Sequence, residues 1–230
     1  MFDVAVPIHG VVNIFGFDLW ITNTIVVSWV VSAILLTFAI VARIKLKSFT
    51  DKPKGFQNVV EMMVGAFDGF MKSNGTPKIQ WMGGWFFTLF AFLLISNIFG
   101  LLPGQRPPTA DWPLPFALAL TSFFFIQFSG IRHNGWGYIK RTYLSPHPVF
   151  LPVNILGEFS RPISLSFRLF GNILGGLILV SLIYGIAPVI ARFAIPVALH
   201  LIFDLAFGAL QAFIFTILSL TFVGLAAAES

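Results

Sequence analysis

The sequence predicts an all-α polytopic membrane protein, with five transmembrane helices and one amphipathic helix at the membrane surface. Of its 230 residues, 57% are hydrophobic and only 10% are charged, whereas about a quarter of the residues in a soluble domain are charged. Several apolar segments reach the ~20 residues that a helix needs to cross a bilayer. Basic residues cluster beside alternate apolar segments, as in the cytoplasmic loops of membrane proteins. We expect residues 1–230 to form a single membrane domain.

The first three spans are predicted at about residues 21–44, 81–102 and 116–131. Five basic residues cluster at the end of the first span and just after it: Arg43, Lys45, Lys47, Lys52 and Lys54. The segment after the third span is also basic, whereas the connector after the second contains one basic residue, Arg106. With five crossings, this alternation predicts an N-terminus outside the cell and a C-terminus in the cytoplasm.

Residues 54–73 are too polar to cross a bilayer and predict an amphipathic helix. Apolar residues recur there at steps of three and four, while Glu61, Asp68 and Lys72 lie mostly on the other side. This pattern is typical of a helix that lies on a membrane surface or returns to the same side. A short helix outside the membrane, packed on a neighbouring subunit, fits the pattern equally well.

The last two spans are predicted at about residues 163–187 and 192–226, and both are long. We expect Pro162 to break or kink the helix that precedes it, because proline lacks the amide hydrogen that the helix needs. The 25 residues of the fourth span would reach ~37 Å, against a hydrocarbon core of ~30 Å. Both helices are therefore expected to tilt strongly or to project from the membrane.

Composition excludes several functional classes. The net charge of +5 is accounted for by the cytoplasmic loops, so we expect no nucleic-acid partner. Because the chain has no cysteine, it has no disulfide, thiolate nucleophile or Cys-ligated metal. It also lacks a G-x-x-x-x-G-K phosphate loop, H-E-x-x-H and G-x-S-x-G. No cofactor or metal is predicted, and any ATP chemistry must lie on another chain.

Each of the last two spans carries one polar stripe at helical spacing. The fourth contributes Ser164, Arg168, Asn172 and Gly175, and the fifth contributes His200, Asp204, Gly208 and Gln211. A charge in mid-bilayer costs roughly 2.5–3.5 kcal/mol on insertion scales, so both stripes should face water, each other or a partner.

These polar residues allow structural and functional interpretations. Arg168 and Asp204 could form a buried ion pair that only joins two helices. Alternatively, His200 and Asp204 could carry protons, since histidine titrates near neutral pH and burial favours proton binding by a carboxylate. Arg168 keeps its proton at any working pH, so it is an electrostatic element and not a relay. Gln211 alone is typical of contacts between helices, and Glu158 alone of a snorkelling or capping carboxylate.

Several segments together resemble subunit a of the F-type ATP synthases. The most specific is Arg168 to Asn172, which reads Arg-Leu-Phe-Gly-Asn. Further matching segments extend from residue 53 to the C-terminus: Pro53 to Glu61, Leu102-Pro103, Pro108 to Asp111, Pro152 to Asn154, Glu158, Arg161-Pro162 and Leu210 to Phe215.

The resemblance implies a non-catalytic, ion-translocating stator subunit in a bacterial inner membrane. It would pack against a rotating ring of c-subunits, with the b-subunit peripheral stalk and the other synthase subunits as further partners. Two aqueous half-channels would carry protons or Na⁺ to and from carboxylates on the ring. Arg168 would face the ring, favour the charged form of each carboxylate and block a direct leak between the half-channels.

Carried over by position, the resemblance places further residues along the two half-channels. The inlet from the outer side would be bordered by Asn172, Asp204, His200 and Gln211, and the outlet to the cytoplasm by Glu158 and Ser164. Leu177 stands where many members carry an acidic residue or histidine, and Asp204 where others carry histidine or glutamate. We therefore expect the inlet relay to have moved onto Asp204 and His200.

Two other functions remain open from the residues alone. A free-standing secondary transporter would use Arg168 to bind an anionic substrate, and the purified chain alone would then catalyse uptake. An intramembrane enzyme would use His200 and Asp204 as an acid-base pair, but the sequence offers neither a nucleophile nor a complete metal-ligand set for it.

Overall fold

The computed structural model describes residues 8–14, 17–49, 54–101, 107–186 and 201–228. Its α-helices are α1 (Asn23–Lys45), α2 (Phe56–Asn74), α3 (Gly83–Phe99), α4 (Pro113–Leu144), α5 (Leu151–Ile186) and α6 (Gly208–Ala228). Four 3₁₀ segments lie between them, at Leu46–Ser48, Pro77–Met82, Pro108–Ala110 and Pro148–Phe150, and a π-helical segment, Leu201–Phe207, leads into α6. Two antiparallel strands, β1 (Ile8–Ile14) and β2 (Phe17–Thr22), precede α1.

The predicted class, an all-α polytopic membrane protein, is confirmed. Among the described residues, five helices are long and apolar enough to cross a membrane. The strand pair before α1 was not predicted, because the apolar run of the first span dominates that end of the sequence. The amphipathic helix expected at 54–73 lies at Phe56–Asn74, and the first span expected at 21–44 is the helix Asn23–Lys45.

The third predicted span, 116–131, lies inside α4, and helical structure continues beyond it. Helical structure runs from Pro113 to Leu144, with a break at Gly135, whose φ of 56° and ψ of −141° are not helical. A positive φ favours glycine, which has no Cβ to clash with the backbone. The chain turns there, so that the ring of Tyr138 packs against Gly130. The last nine residues of α4, Trp136 to Leu144, therefore form a fold-back segment.

The helix of the fourth predicted span, 163–187, begins well before that span. The helix α5 begins at Leu151 and continues through Pro162 without interruption. Proline removes one hydrogen bond from a helix, but Pro162 is buried, and its neighbours on α4 and α6 hold the segment in place. With 36 residues, α5 is ~54 Å long, so a strong tilt or a projection from the membrane remains the prediction.

The fifth predicted span, 192–226, is described only from residue 201. His200 and the other residues of 187–200 lie outside the described part. The π-helical turn at Leu201–Phe207 was not predicted, and it corrects the polar stripe on this span. A π-helix bonds i to i+5 instead of i+4, so Asp204 and Gly208 are not spaced as in a regular α-helix.

Contacts between distant parts of the chain show that successive spans run in opposite directions. At one end, the Asn97 side chain on α3 reaches the Gly208 carbonyl at the start of α6. At the other end, Lys78 Nζ donates to the Ala227 carbonyl over 3.1 Å, and Asn134 Nδ2 donates to the Ala226 carbonyl over 2.8 Å. The 3₁₀ segment before α3 and the part of α4 around Asn134 thus meet the end of α6. We call these two ends of the bundle the Asn97 end and the Lys78 end.

The core lies among α3, α4, α5 and α6. Its best buried large side chains include Phe86, Leu93, Leu169, Phe215 and Leu220. In a membrane these helices associate through close packing and interhelical hydrogen bonds, because lipid is as apolar as leucine. One such bond joins Ser219 to Ser122 over 3.2 Å. In contrast, α1 is mostly exposed along its length.

Candidate functional site

Arg168 lies on a face of α5 that the rest of the described chain leaves uncovered. Its neighbours on that face, Ser164, Gly171 and Gly175, are exposed as well. Open space surrounds both glycines, since a Cβ on either would have no neighbour within 4 Å. The opposite face of α5 packs into the core through Leu169 and other apolar residues. The helix therefore presents one cation, flanked by small residues, away from the bundle.

The guanidinium of Arg168 makes no hydrogen bond or ion pair with the described residues. The ion pairs that the structure contains in those ranges are Lys72 with Asp68 and Arg161 with Glu158. The interpretation of Arg168 as a buried ion pair is wrong in one respect, because Arg168 is exposed. Its suggested partner, the Asp204 side chain, lies outside the described residues, as does His200.

A polar cluster at the Asn97 end joins α3, α5 and the start of α6. Asn97 Nδ2 donates to the Gly208 carbonyl over 2.8 Å, and the Thr109 hydroxyl donates to Asn97 Oδ1 over 3.1 Å. From the other side, Asn172 Nδ2 donates to the Phe207 carbonyl over 3.4 Å. The predicted site residue Asn172 is thus connected to the π-helical turn that contains Asp204.

Asn97 and Thr109 were not among the predicted site residues. The signal that could have identified Asn97 is an amide near the end of the apolar helix α3, because a polar group in lipid needs a partner. Thr109 lies in a connector, where a buried hydroxyl cannot be distinguished from a solvated one by sequence. Nearby, the Thr24 hydroxyl donates to a carboxylate oxygen of Asp111, so α1 is tied to the same end of the bundle.

Gln211 is almost completely buried on α6. Its side chain is 5% exposed, and its Nε2 has no hydrogen-bond partner among the described residues. A buried amide without a partner costs ~1–3 kcal/mol. Gln211 therefore has an unused donor one turn after Gly208.

An open cavity of about 500 Å³ lies at the Lys78 end, between the fold-back segment, the start of α5 and the end of α6. Its polar lining residues are Tyr138, Arg141, Thr142, Asn154, Glu158 and Arg161. Glu158 is 6% exposed. Its Oε1 lies 3.0 Å from Arg161 Nη1, and its Oε2 accepts a hydrogen bond from Gln127 Nε2 over 3.3 Å. Glu158 is therefore a buried, paired carboxylate and not a snorkelling or capping one.

The cavity closes toward the centre of the bundle. Arg161 and Phe222 line both it and a much smaller space of about 10 Å³ beyond, whose other walls are mostly apolar. The Arg161 guanidinium lies over the Phe222 ring, 5.2 Å from its centroid. Ser164 lines neither space and is exposed beside Arg168 instead. A path from the cavity to Arg168 would accordingly follow the outer face of α5.

The two polar regions lie on opposite sides of Arg168 along α5. Glu158 precedes Arg168 by ten residues, or ~15 Å, and Asn172 follows it by four residues, or ~6 Å. Among the side chains that the structure describes, no three His, Asp or Glu residues are grouped as metal ligands. The arrangement is a fixed cation between a carboxylate-lined cavity and an amide-rich cluster.

Comparison with known proteins shows similarity along nearly the whole chain. A family model described as ATP synthase A chain matches residues 25–224. ATP synthase subunit a 2 from Picosynechococcus sp. is 36% identical over 214 residues, which cover 90% of this chain and 86% of the relative. ATP synthase subunit a 2 from Acaryochloris marina is 34% identical over 208 residues, covering 88% and 84%. A subunit a from Propionigenium modestum, named as sodium ion specific, is 33% identical over 242 residues, covering 97% and 79%.

Proposed function

Because this chain belongs to the ATP synthase A chain family, we propose that it is the stator ion-channel subunit of a rotary ATP synthase, with Arg168 separating two half-channels. It carries protons or Na⁺ and performs no catalysis itself. Its partners are a ring of c-subunits that faces Arg168, the b-subunit stalk and the remaining synthase subunits. It lies in a bacterial inner membrane, with the N-terminus outside and the C-terminus in the cytoplasm.

The observation that carries this proposal is that Arg168 is exposed on a spanning helix and has no partner among the described residues. A permanent charge facing lipid is costly, so this face requires a complementary surface. A carboxylate on a passing c-subunit would supply the opposite charge, and Gly171 and Gly175 leave space for a close helix, as small residues do in membrane interfaces. The uncovered face of α5 is therefore the surface that meets the ring.

The outlet half-channel is the cavity that contains Glu158. Arg168 attracts a ring carboxylate in its charged form, which releases the ion on the outlet side. The ion then follows the exposed face of α5, past Ser164, toward Glu158 and the cytoplasm. Two partners, Arg161 and Gln127, hold the Glu158 carboxylate toward this cavity.

The inlet half-channel lies at the Asn97 end, on the outer side of the membrane. Asn172 and Gln211 supply amide groups there, and Asp204 with His200 forms the relay that compensates for Leu177. Since Arg168 stays positive, an incoming ion cannot pass it directly to the outlet. It must bind a ring carboxylate and travel with the ring, so that each passage turns the rotor.

The function is tested by coupled transport in vesicles that contain the complete ATP synthase. Arg168→Ala should abolish both ATP-driven ion pumping and ion-driven ATP synthesis. Arg132→Ala is the matched control, because Arg132 is an exposed arginine stacked on Trp81 at the Lys78 end, 4.7 Å from the ring centroid. Normal coupling in Arg168→Ala would overturn the proposal. Uptake by the purified chain alone would support the secondary transporter instead.

A further inference from the structure

The boundary between the π-helical turn and α6 is held from two sides. Phe207 is the last residue of the π segment, and Gly208 is the first residue of α6. Their carbonyl oxygens accept hydrogen bonds from two amides on different helices, Asn172 on α5 and Asn97 on α3, over 3.4 Å and 2.8 Å. Two consecutive carbonyls at a change of helix type are thus tied to the rest of the bundle.

Asn97 makes the shorter of these two bonds and is itself held in place. Its side chain is 2% exposed, and its Oδ1 accepts the hydroxyl hydrogen of Thr109, which is fully buried. The amide can approach α6 closely because residue 208 is glycine. A Cβ there would lie 2.8 Å from Asn97 Cβ, closer than two carbon atoms normally approach.

The position of this boundary determines how residues 201–207 are rotated relative to α6. A π-turn is wider than an α-turn because it bonds i to i+5. If the boundary moved by one residue, one residue would exchange a π-helical rotation for an α-helical one, and the preceding backbone would rotate about the helix axis by roughly 20°. Asp204 lies inside the π segment and Gln211 lies beyond the boundary, so their relative orientation depends on where the π segment ends.

We propose that Asn97 is a positioning residue, which fixes the end of the π segment and thereby the orientation of the backbone at Asp204. Thr109 orients the Asn97 amide, and Asn172 supports the boundary from α5. The inference rests on the proposed function, because it assigns Asn97 a role in presenting the inlet relay to the ring. Asn97 itself carries no ion.

The rotation can be measured by pulsed electron paramagnetic resonance in the complete ATP synthase. Spin labels are attached to Thr121→Cys on α4 and Ile202→Cys in the π segment. Both native side chains are exposed in this chain, and the chain has no cysteine of its own. Reactive cysteines in the other subunits must first be replaced by other residues. Asn97→Leu should shift or broaden the distance distribution by roughly 2 Å, since a rotation of roughly 20° moves a side chain that lies ~5–6 Å from the helix axis by that much.

The control for Asn97→Leu is Ser96→Ala. Ser96 is the preceding residue on α3, equally buried, and its hydroxyl has no hydrogen-bond partner in the described part of the chain. Asn97→Leu should lower the rate of ATP synthesis on the order of fivefold to tenfold, as expected for loss of one buried hydrogen bond in the working complex. Ser96→Ala should leave both the distance and the rate unchanged.

A second pair of variants decides the question if Asn97→Leu does not assemble. Thr109→Val removes the hydroxyl that orients Asn97, whereas Thr109→Ser keeps it. The valine variant should shift the distance in the same direction as Asn97→Leu and slow synthesis, and the serine variant should restore both.

Equal distances and rates in the Asn97→Leu and Ser96→Ala enzymes would overturn the inference, and so would a shifted distance at an unchanged rate. If Asn97→Leu does not assemble, the comparison is made between Thr109→Val and Thr109→Ser. Equal distances and rates in these two enzymes, or a shifted distance at an unchanged rate in Thr109→Val, would then overturn the inference. Either result would leave the proposed function intact as long as Arg168→Ala still abolishes coupling.

Discussion

Replacing Gly130 with alanine should displace the fold-back segment, which forms one wall of the cavity that contains Glu158. A Cβ at residue 130 would lie 2.5 Å from Tyr138 Cζ and 2.6 Å from both Cε atoms. Carbon atoms pack at ~3.5–4.0 Å, so the rigid ring must move by about 1 Å or more. Overpacking of this kind costs ~1–3 kcal/mol. Because Tyr138 lines the cavity, its displacement should also widen the space around Glu158.

Two measurements on the complete ATP synthase test this expectation. The first is thermal inactivation, which should occur at a lower temperature in Gly130→Ala. The second is the labelling rate of an introduced Thr142→Cys by a membrane-impermeant maleimide, which should rise because Thr142 lines the same cavity. Gly137→Ala is the matched control, since a Cβ at residue 137 would meet nothing within 4 Å.

Combining Gly130→Ala with Tyr138→Leu should relieve the overlap and recover part of the stability. If Gly130→Ala behaved like Gly137→Ala in both assays, the packing of the fold-back segment on Gly130 would be contradicted.

Three further predictions concern the half-channels and the end of α6. Asp204→Asn should abolish proton-driven ATP synthesis in vesicles, and intact synthesis would show that the inlet relay is elsewhere. Glu158→Gln should slow synthesis on the order of tenfold, because it removes the carboxylate proposed for the outlet and leaves Arg161 without its ionic partner; an unchanged rate would remove Glu158 from the path. Lys78→Met should lower the stability of the complex by ~0.5–1.5 kcal/mol, because Lys78 caps the C-terminal carbonyls of α6. Lys72→Met, which removes only an exposed ion pair with Asp68, is its control in thermal inactivation.

The membrane-spanning segments could be predicted from sequence because the bilayer dictates their length and apolarity. The first span and the amphipathic helix were placed within a few residues for this reason. Tertiary contacts decide where α4 turns and how α5 continues through its proline. Hydropathy does not reveal that the chain turns at Gly135, because that turn depends on the packing of Tyr138 against Gly130. A proline such as Pro162 breaks a helix only where neighbouring elements do not hold that helix in place.

The site was less predictable than the spans. Arg168 is a lone charge in an apolar span, so its cost in lipid identifies it without any structure, whereas Glu158 was singled out only through the family resemblance. The cluster around Asn97 could not be predicted, because it depends on which helices meet in the fold. Neutral amides and hydroxyls are common in membrane helices and do not by themselves indicate a site. The amino-acid composition of Leu201–Phe207 does not distinguish a π-helical turn from an α-helix. The regular α-helical spacing expected through Asp204 was therefore incorrect. The roles assigned to the site residues remain predictions: Arg168, Asn172, Asp204, His200, Gln211, Glu158 and Ser164.

The most direct test of the separator role of Arg168 is passive proton flow through a membrane sector whose ring cannot turn. The ring is held to the stator by a cross-link between introduced cysteines, and proton flow into vesicles is driven by a membrane potential. The wild-type sector should conduct almost nothing in this state, because Arg168 keeps the two half-channels apart. The Arg168→Ala sector should conduct protons without rotation, while the Arg132→Ala sector should remain closed. A locked Arg168→Ala sector as tight as the wild type would contradict the assignment of Arg168 as the barrier.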